Sequence, residues 1–552
     1  MNKYITNILS VACLAGATIV TSCSEDYFDT KPTDSVSDAL AVASTENAFK
    51  ALNGIAETMS TQQYYYGQGF AGENYIMMKT ETYPSENYNY NAMASGWDVI
   101  FNMEFMRRTT TIYNSYIWAY YYNLIGQANT IIARIDDAAG PASEKNFIKG
   151  AALTFRAFAY EKLARYYCHR LADCHDGTDA NSGLVLRLDE STGDLGLSTL
   201  AQTYDQIYKD LDEAISLFNS SDYKRNASEV WIPNVNVAHA VYARTALVRK
   251  DYSKALSEAK LARAGFPLMS NAEYGAGFCN PTSEWIFGSF GGVEEQQWYW
   301  SYGTQYACNG YYTTKYWYGA GAIGIELANR IPNNDFRKSL FLTPDKFPSY
   351  DCSYEVRKEA GDKYFCTYGL LAQNEADAAT LKEIDDYVVS KTPSGLDRAY
   401  STGDFYLGGQ LKFWVFDLPG VAYLPFIRSS EMVLIEAESN YFLKDEAAAQ
   451  ASLVELNATS GRNPEYTCTK TGDDLFNEIK DYRCLELWGE GFEWSDYKRW
   501  GLPISRHGFD KGGNCHASTA IDIPTDYADG WTWAIPDAEK DYNEALKPSA
   551  EK

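Results

Sequence analysis

Between Asn236 and Pro267, Ala243, Ala255, Ala262 and Pro267 stand 12, 7 and 5 positions apart. Those are the gaps between the small-residue and proline positions of a tetratricopeptide repeat. Small side chains are needed there because the two helices of a repeat cross closely. One such pair cannot bury its own apolar face, so neighbouring pairs must stack on it. The neighbours are legible. Ile117, Tyr121, Leu124, Ala128, Ile132 and Ile135 recur at steps of three and four, and so do Ile148, Ala152, Phe155, Ala159, Leu163 and Tyr166. Gly140-Pro141 separates the two runs, which predicts an antiparallel helical hairpin. Further helices are expected over about Thr203–Phe218, Ile427–Leu443 and Leu475–Trp488. The fold class is therefore mainly α, a tetratricopeptide-like scaffold with repeats at about 45–267 and 426–500. A long irregular insertion, roughly 268–425, splits it.

Composition shifts inside that insertion. From Trp285 to Tyr318, 13 of 34 residues are aromatic, and a second rich stretch runs from Tyr64 to Trp97. Helical spacing is absent from both while Gly and Asn are frequent, so both are expected as loops or short strands. Flat rings on such loops can stack on the C–H faces of sugars, and they can equally pack as loop core. The candidates for ligand contact are Tyr83, Trp97, Trp300, Tyr302, Trp317 and Tyr318.

The first residues carry an address. Lys3 precedes an apolar run from Ile8 to Val20, too short to span a bilayer, followed by Thr21, Ser22 and Cys23. This pattern is read as a lipoprotein signal over residues 1–22, with the Cys23 thiol acylated as the mature N-terminus. Ser24, Glu25 and Asp26 resemble the acidic tag that sends Bacteroides-type lipoproteins to the cell surface. The polar and small residues from Ser24 to Ser44 then form a tether, reaching about 25 Å if flexible. The expected attachment is lipid-anchored, surface-exposed and without a membrane span.

Charge narrows the partners. With 73 acidic residues against 48 basic ones the net charge is −25, which excludes a nucleic-acid backbone as ligand. Nucleophile-elbow, zinc-protease and P-loop motifs are absent, and five His leave little for acid–base chemistry. Gly319, Gly321 and Gly324 spell a dinucleotide fingerprint without a strand–helix–strand context. No cofactor is expected. Cys168-His169 and Cys174-His175 match no tetrahedral ligand pattern. The acidic loop of Asp173, Asp176 and Asp179 could hold a structural calcium, but it lacks the EF-hand spacing and is expected to be a solvated loop.

The motifs, taken in order, resemble one family. Asp26-Tyr27-Phe28-Asp29 with Pro32, then Leu52-Asn53-Gly54, is similar to the start of SusD/RagB-type outer-membrane lipoproteins. Phe155-Arg156-Ala157-Phe158-Ala159-Tyr160 resembles their R-A-x-x-Y helix. Arg428, Glu431, Leu434, Ala437 and Glu438 match a second motif. Arg483, Glu486-Leu487, Glu490-Gly491, Asp496 and Lys498-Arg499-Trp500 match a third, and Ile535-Pro536, Glu539 and Asn543 the closing one. Tyr482 and Glu493 stand where Glu and Arg are usual, and Ser460 replaces one Arg while Arg462 stays. The resemblance implies one SusD-like domain over 23–552. It implies a glycan-capturing lipoprotein, not an enzyme, that delivers oligosaccharide to a SusC-like TonB-dependent β-barrel transporter. The alternatives are a peptide-binding RagB-type importer and a surface glycosidase. Arg156, Glu486 and Arg499 are expected to be structural ion-pair residues.

Overall fold

The computed structural model describes residues 38–67, 69–89, 97–290, 301–315, 321–347, 375–400, 405–417 and 420–547. Ten helices make the scaffold: α1 Thr45–Thr58, α2 Ile112–Arg134, α3 Ala142–Tyr167, α4 Leu200–Asn219 and α5 Val235–Val248, then α6 Tyr252–Ala262, α7 Ser429–Phe442, α8 Glu446–Val454, α9 Gly472–Glu486 and α10 Glu493–Trp500. Local chemistry starts them. The Asn234 and Asp251 side chains accept the Val237 and Lys254 amides at the heads of α5 and α6, and Thr199 with Gln202 forms a reciprocal cap on α4. Gly501, at φ 69°, ends α10.

Successive helices pack in chain order, α2 on α3, α3 on α4, α4 on α5 and α5 on α6, and α6 then receives α7 from beyond the insertion. Ala243, Ala255, Ala259 and Ala262 are fully buried where α5 crosses α6. His239 Nδ1 meets Glu258 Oε2 at 2.5 Å across that pair, so this histidine joins two helices. Asp38–Ala41 forms a helical turn, which means the end of the expected tether is already structured.

Six short strands pair antiparallel: β1 Tyr88–Asn89 with β3 Ala322–Ile323, β2 Trp285–Gly288 with β4 Pro425–Arg428, and β5 Ile504–Ser505 with β6 Asp522–Ile523. The β2–β4 ladder closes the insertion at its base. Within the insertion Cys308, Leu342, Ile384, Val388, Leu407 and Trp414 belong to a second, smaller core beside the main one.

The aromatic stretches are more helical than their spacing predicts. Gly72–Ile76 is an α-helix that runs into a π-helical segment, Met77–Thr82, and every residue of both is buried. A helix buried on all sides needs no apolar stripe, so periodicity cannot reveal it. Tyr302–Gln305 and Tyr311–Lys315 are helical turns, and Glu375–Ser390 is a 16-residue helix where irregular chain was expected. Among the described residues no helix is long and apolar enough to cross a membrane.

Candidate functional site

The insertion is locked to the scaffold by a dry cluster of charges. Arg428, at the end of β4, donates to Glu490 at 2.7 and 2.9 Å, to Glu284 at 2.8 Å and to Glu486 at 2.6 Å. Arg337 donates to Asp335 at 2.6 Å and to Glu486 at 2.8 Å. Lys412 reaches Glu490 at 2.7 Å and the carbonyls of Glu486 and Trp488 at 3.1 and 2.9 Å. Arg462, with its nearest carboxylate oxygens at 4.0 Å, completes the set. Four cations thus face four carboxylates, all with side chains no more than 1% exposed. Burial opposes ionisation of Glu486, but Arg428 and Arg337 outweigh it and hold its carboxyl far below the usual range. Burial pushes the Lys412 ammonium down to about 8, with Glu490 opposing.

Directly on this cluster lies a stack of rings. Trp488, whose carbonyl accepts a hydrogen bond from the Lys412 ammonium, donates its indole N–H to Asn87 O at 2.8 Å and stacks on Tyr88 with centroids 5.2 Å apart. Tyr88 also stacks on Tyr306 at 5.5 Å and 4°, and on Tyr83 at 5.4 Å. Tyr302 packs on Tyr306 at 4.6 Å and Tyr83 on Phe101 at 4.9 Å. At the edge, the Lys79 ammonium sits 3.4 Å from the Trp97 ring centroid and 4.5 Å from that of Tyr83. Burial pushes this ammonium well below its ordinary range, and the two ring faces supply the attraction it retains.

The predicted ligand residues divide. Trp97 lies half-buried at the rim of the stack. Tyr83 and Tyr302, at 0% and 4% exposure, lie buried within the stack as part of its packed floor. Trp300, Trp317, Tyr318 and Cys23 lie outside the described residues. The described positions that flank these aromatics nevertheless converge on the stack. Gly321 at φ 74° lies against Tyr88, where a Cβ would collide with the ring, and β1 ends at Asn89 opposite Ala322. Ser301 caps the turn that carries Tyr302. Lys79 and Lys412 escaped the sequence reading; the only mark of Lys412 is its place in the apolar run Leu411-Lys412-Phe413-Trp414.

Other expected residues have structural roles. Arg156 holds Asp210 through two bonds of 2.8 and 2.6 Å, and Arg499 bonds Asp496 at 2.8 Å and Glu438 at 2.7 Å. Cys168 and Cys174 are buried thiols, and burial pushes Cys168 up to about 12, so neither is poised as a thiolate. In the acidic loop Asp179 pairs with His175 and Asp173 with Arg170, and among the described residues no set of side chains is arranged to hold a metal.

Two family models match the sequence. Residues 29–247 match the SusD-like model described as starch-binding, associating with outer membrane, and residues 420–551 match the SusD family model. Among curated proteins none matches. A SusD-like carbohydrate binding protein from Bacteroides vulgatus superposes with a TM-score of 0.69 at 20% identity, covering 92% of this chain and 100% of the other. A SusD superfamily protein from Bacteroides thetaiotaomicron gives 0.64 at 21%, covering 92% and 100%. Surface glycan-binding protein A from Bacteroides thetaiotaomicron gives 0.63 at 14%, covering 92% and 99%. At these identities the likeness is one of fold.

Proposed function

The chain belongs to the SusD/RagB family, and on that premise we propose that it captures oligosaccharide at the cell surface and delivers it to a TonB-dependent β-barrel transporter. One observation carries the reading: an aromatic floor, locked from beneath by a balanced ion cluster, on which the described ends of the aromatic-rich segments converge with Trp97 at the rim. A rigid, buried floor holds the rim ring of Trp97 in place, so that it meets a sugar without being ordered at the moment of binding. Each stacked ring adds about 1 kcal/mol beyond area burial, so two or three give weak binding. Retention then depends on the partner. Acylation of Cys23 confines the protein to the membrane surface, which raises the effective concentration of bound glycan at the barrel mouth. The stiff helical scaffold offers the broad face that docking on a barrel rim requires. The protein acts by binding and not by catalysis.

Calorimetry against a panel of neutral and acidic oligosaccharides tests the first half. Heat is expected with at least one glycan, weakened by Trp97→Ala. Heat with peptides alone moves the assignment to peptide import, and release of reducing ends removes it. Isolation of the lipidated protein in mild detergent tests the second half, and absence of a co-purifying β-barrel refutes delivery.

A further inference from the structure

A second site lies on the scaffold itself. A cavity of about 320 Å³ opens between the end of α3, the start of α4, the end of α5, and α7, α9 and α10. That volume is at the small end for ligand pockets, which run from roughly 300 to 1,000 Å³. Its lining holds seven Lys and Arg side chains against three carboxylates, an inversion of the chain's overall charge of −25.

Most of the cations are spoken for. Arg244 donates to Glu431 at 2.6 Å, Arg165 to Glu161 at 2.6 Å and Arg499 to Glu438. Two groups are not. Lys498, 6% exposed, spends two N–H bonds on the carbonyls of Arg165 and Cys168, at 2.7 and 2.8 Å, and has no carboxylate within 4 Å among the described residues. Arg483, 4% exposed, gives its Nε–H to Asp496 at 2.6 Å while its Nη1, also buried, has no partner. A buried guanidinium nitrogen and a buried ammonium, each with donors to spare, are costly unless an acceptor arrives. Leu247, Ile435, Phe492 and Trp500 supply apolar wall, beside the polar His169 and Ser495.

We propose that this cavity binds a small organic carboxylate, its anionic head between Arg483 and Lys498 and its hydrocarbon body against Phe492 and Trp500. The head supplies the missing acceptor for Arg483 Nη1 and the missing countercharge for Lys498. A carboxylate suits the guanidinium fork geometrically. The site is separate from the aromatic floor and stands whether or not that floor takes sugar.

4-Bromobenzoate and 4-bromobenzyl alcohol, the same body with and without the charge, are the probes. On the full mature chain, calorimetry is expected to show the acid binding saturably and the alcohol at least about tenfold more weakly. Lys498→Met should weaken the acid by a similar factor. Because Lys498 also ties down the end of α3, its replacement can disturb folding, and a crystal of the unaltered protein soaked in the acid decides independently. Bromine located by anomalous scattering inside this cavity supports the assignment. Equal binding of acid and alcohol, no binding of the acid at about 10 mM, or bromine found only elsewhere overturns it.

Discussion

Replacing Arg428 by Met tests whether the buried charge cluster holds insertion and scaffold together. The side chain keeps its length but loses five donated bonds, four to the carboxylates of Glu284, Glu486 and Glu490 and one to the Glu486 carbonyl. Four carboxylates then face three cations in a site closed to water. Removing one member of a buried pair costs about 3–5 kcal/mol, and three partners are stripped here, so the upper end is expected. Against a total stability of about 5–15 kcal/mol that is a large share. The loss has a pH signature. In the native cluster the Glu486 carboxyl is held well below its ordinary value of 4.5, so its stabilisation is present above that value and is lost as pH falls. Without Arg428 the carboxylates are instead driven toward protonation, and the deficit should be full at pH 7 and shrink below about pH 5. Urea unfolding followed by tryptophan fluorescence at pH 7 and 4.5 measures both. Adding Glu490→Gln to Arg428→Met restores charge balance and should recover part of the loss. A single variant within about 1 kcal/mol of the parent at pH 7, or a double variant no better than the single, would refute the argument.

Burial, with Glu86 nearby, pushes the Glu493 carboxyl up to about 8 from an ordinary 4.5, despite three N–H donors from Glu86 and Asn87. Its contribution is present below 4.5 and lost as pH rises through 8, so Glu493→Gln should flatten the decline in unfolding free energy over that window. Gly321→Ala places a Cβ in the Tyr88 ring at positive φ; a cost of about 1–3 kcal/mol and altered near-ultraviolet dichroism are expected, and unchanged spectra argue against the floor as described. Ala255→Leu overfills the α5–α6 crossing and should cost about 1–3 kcal/mol in thermal or urea unfolding. Arg156→Met strands Asp210, buried beside it, and should cost about 3–5 kcal/mol by the same assay.

The scaffold was legible because its causes are local. Helix periods, the Gly140-Pro141 break and the alanine spacing all act within one or two turns, and the alanines lie buried where the spacing requires. The insertion was not legible in the same way. Tyr306 reaches Tyr83 and Tyr88 from more than two hundred residues away, and ring stacking leaves no period in the sequence. The aromatic helices are short or buried on every side and show no stripe, whereas Glu375–Ser390 is long and buries Thr380, Ile384 and Val388 at steps of four, a stripe the sequence reading passed over. Among the buried charges, Arg428 and Glu486 were visible only through a family motif. Glu284, Arg337 and Lys412 were not visible at all, since the motif residues they pair with, Arg428, Glu486 and Glu490, stand 144, 149 and 78 positions away. The cavity on the scaffold was hidden for a related reason: Arg483 and Lys498 read as motif residues, and nothing local shows that a donor on each lacks an acceptor.

The charge cluster also bears on the order in which the chain can close. Its members are spread from Glu284 to Glu490; Arg337 can meet Asp335 locally and Arg428 can meet Glu284, but the remaining pairs cannot form until Glu486 and Glu490 are available. An incomplete chain keeps those groups hydrated, and separating them from water before their partners arrive is strongly unfavourable. Premature collapse of the insertion is thereby discouraged. Completion awaits Glu486 and Glu490, at and just beyond the end of α9, which bring Arg337, Lys412 and Arg428 their remaining carboxylates and join both parts in a late folding step.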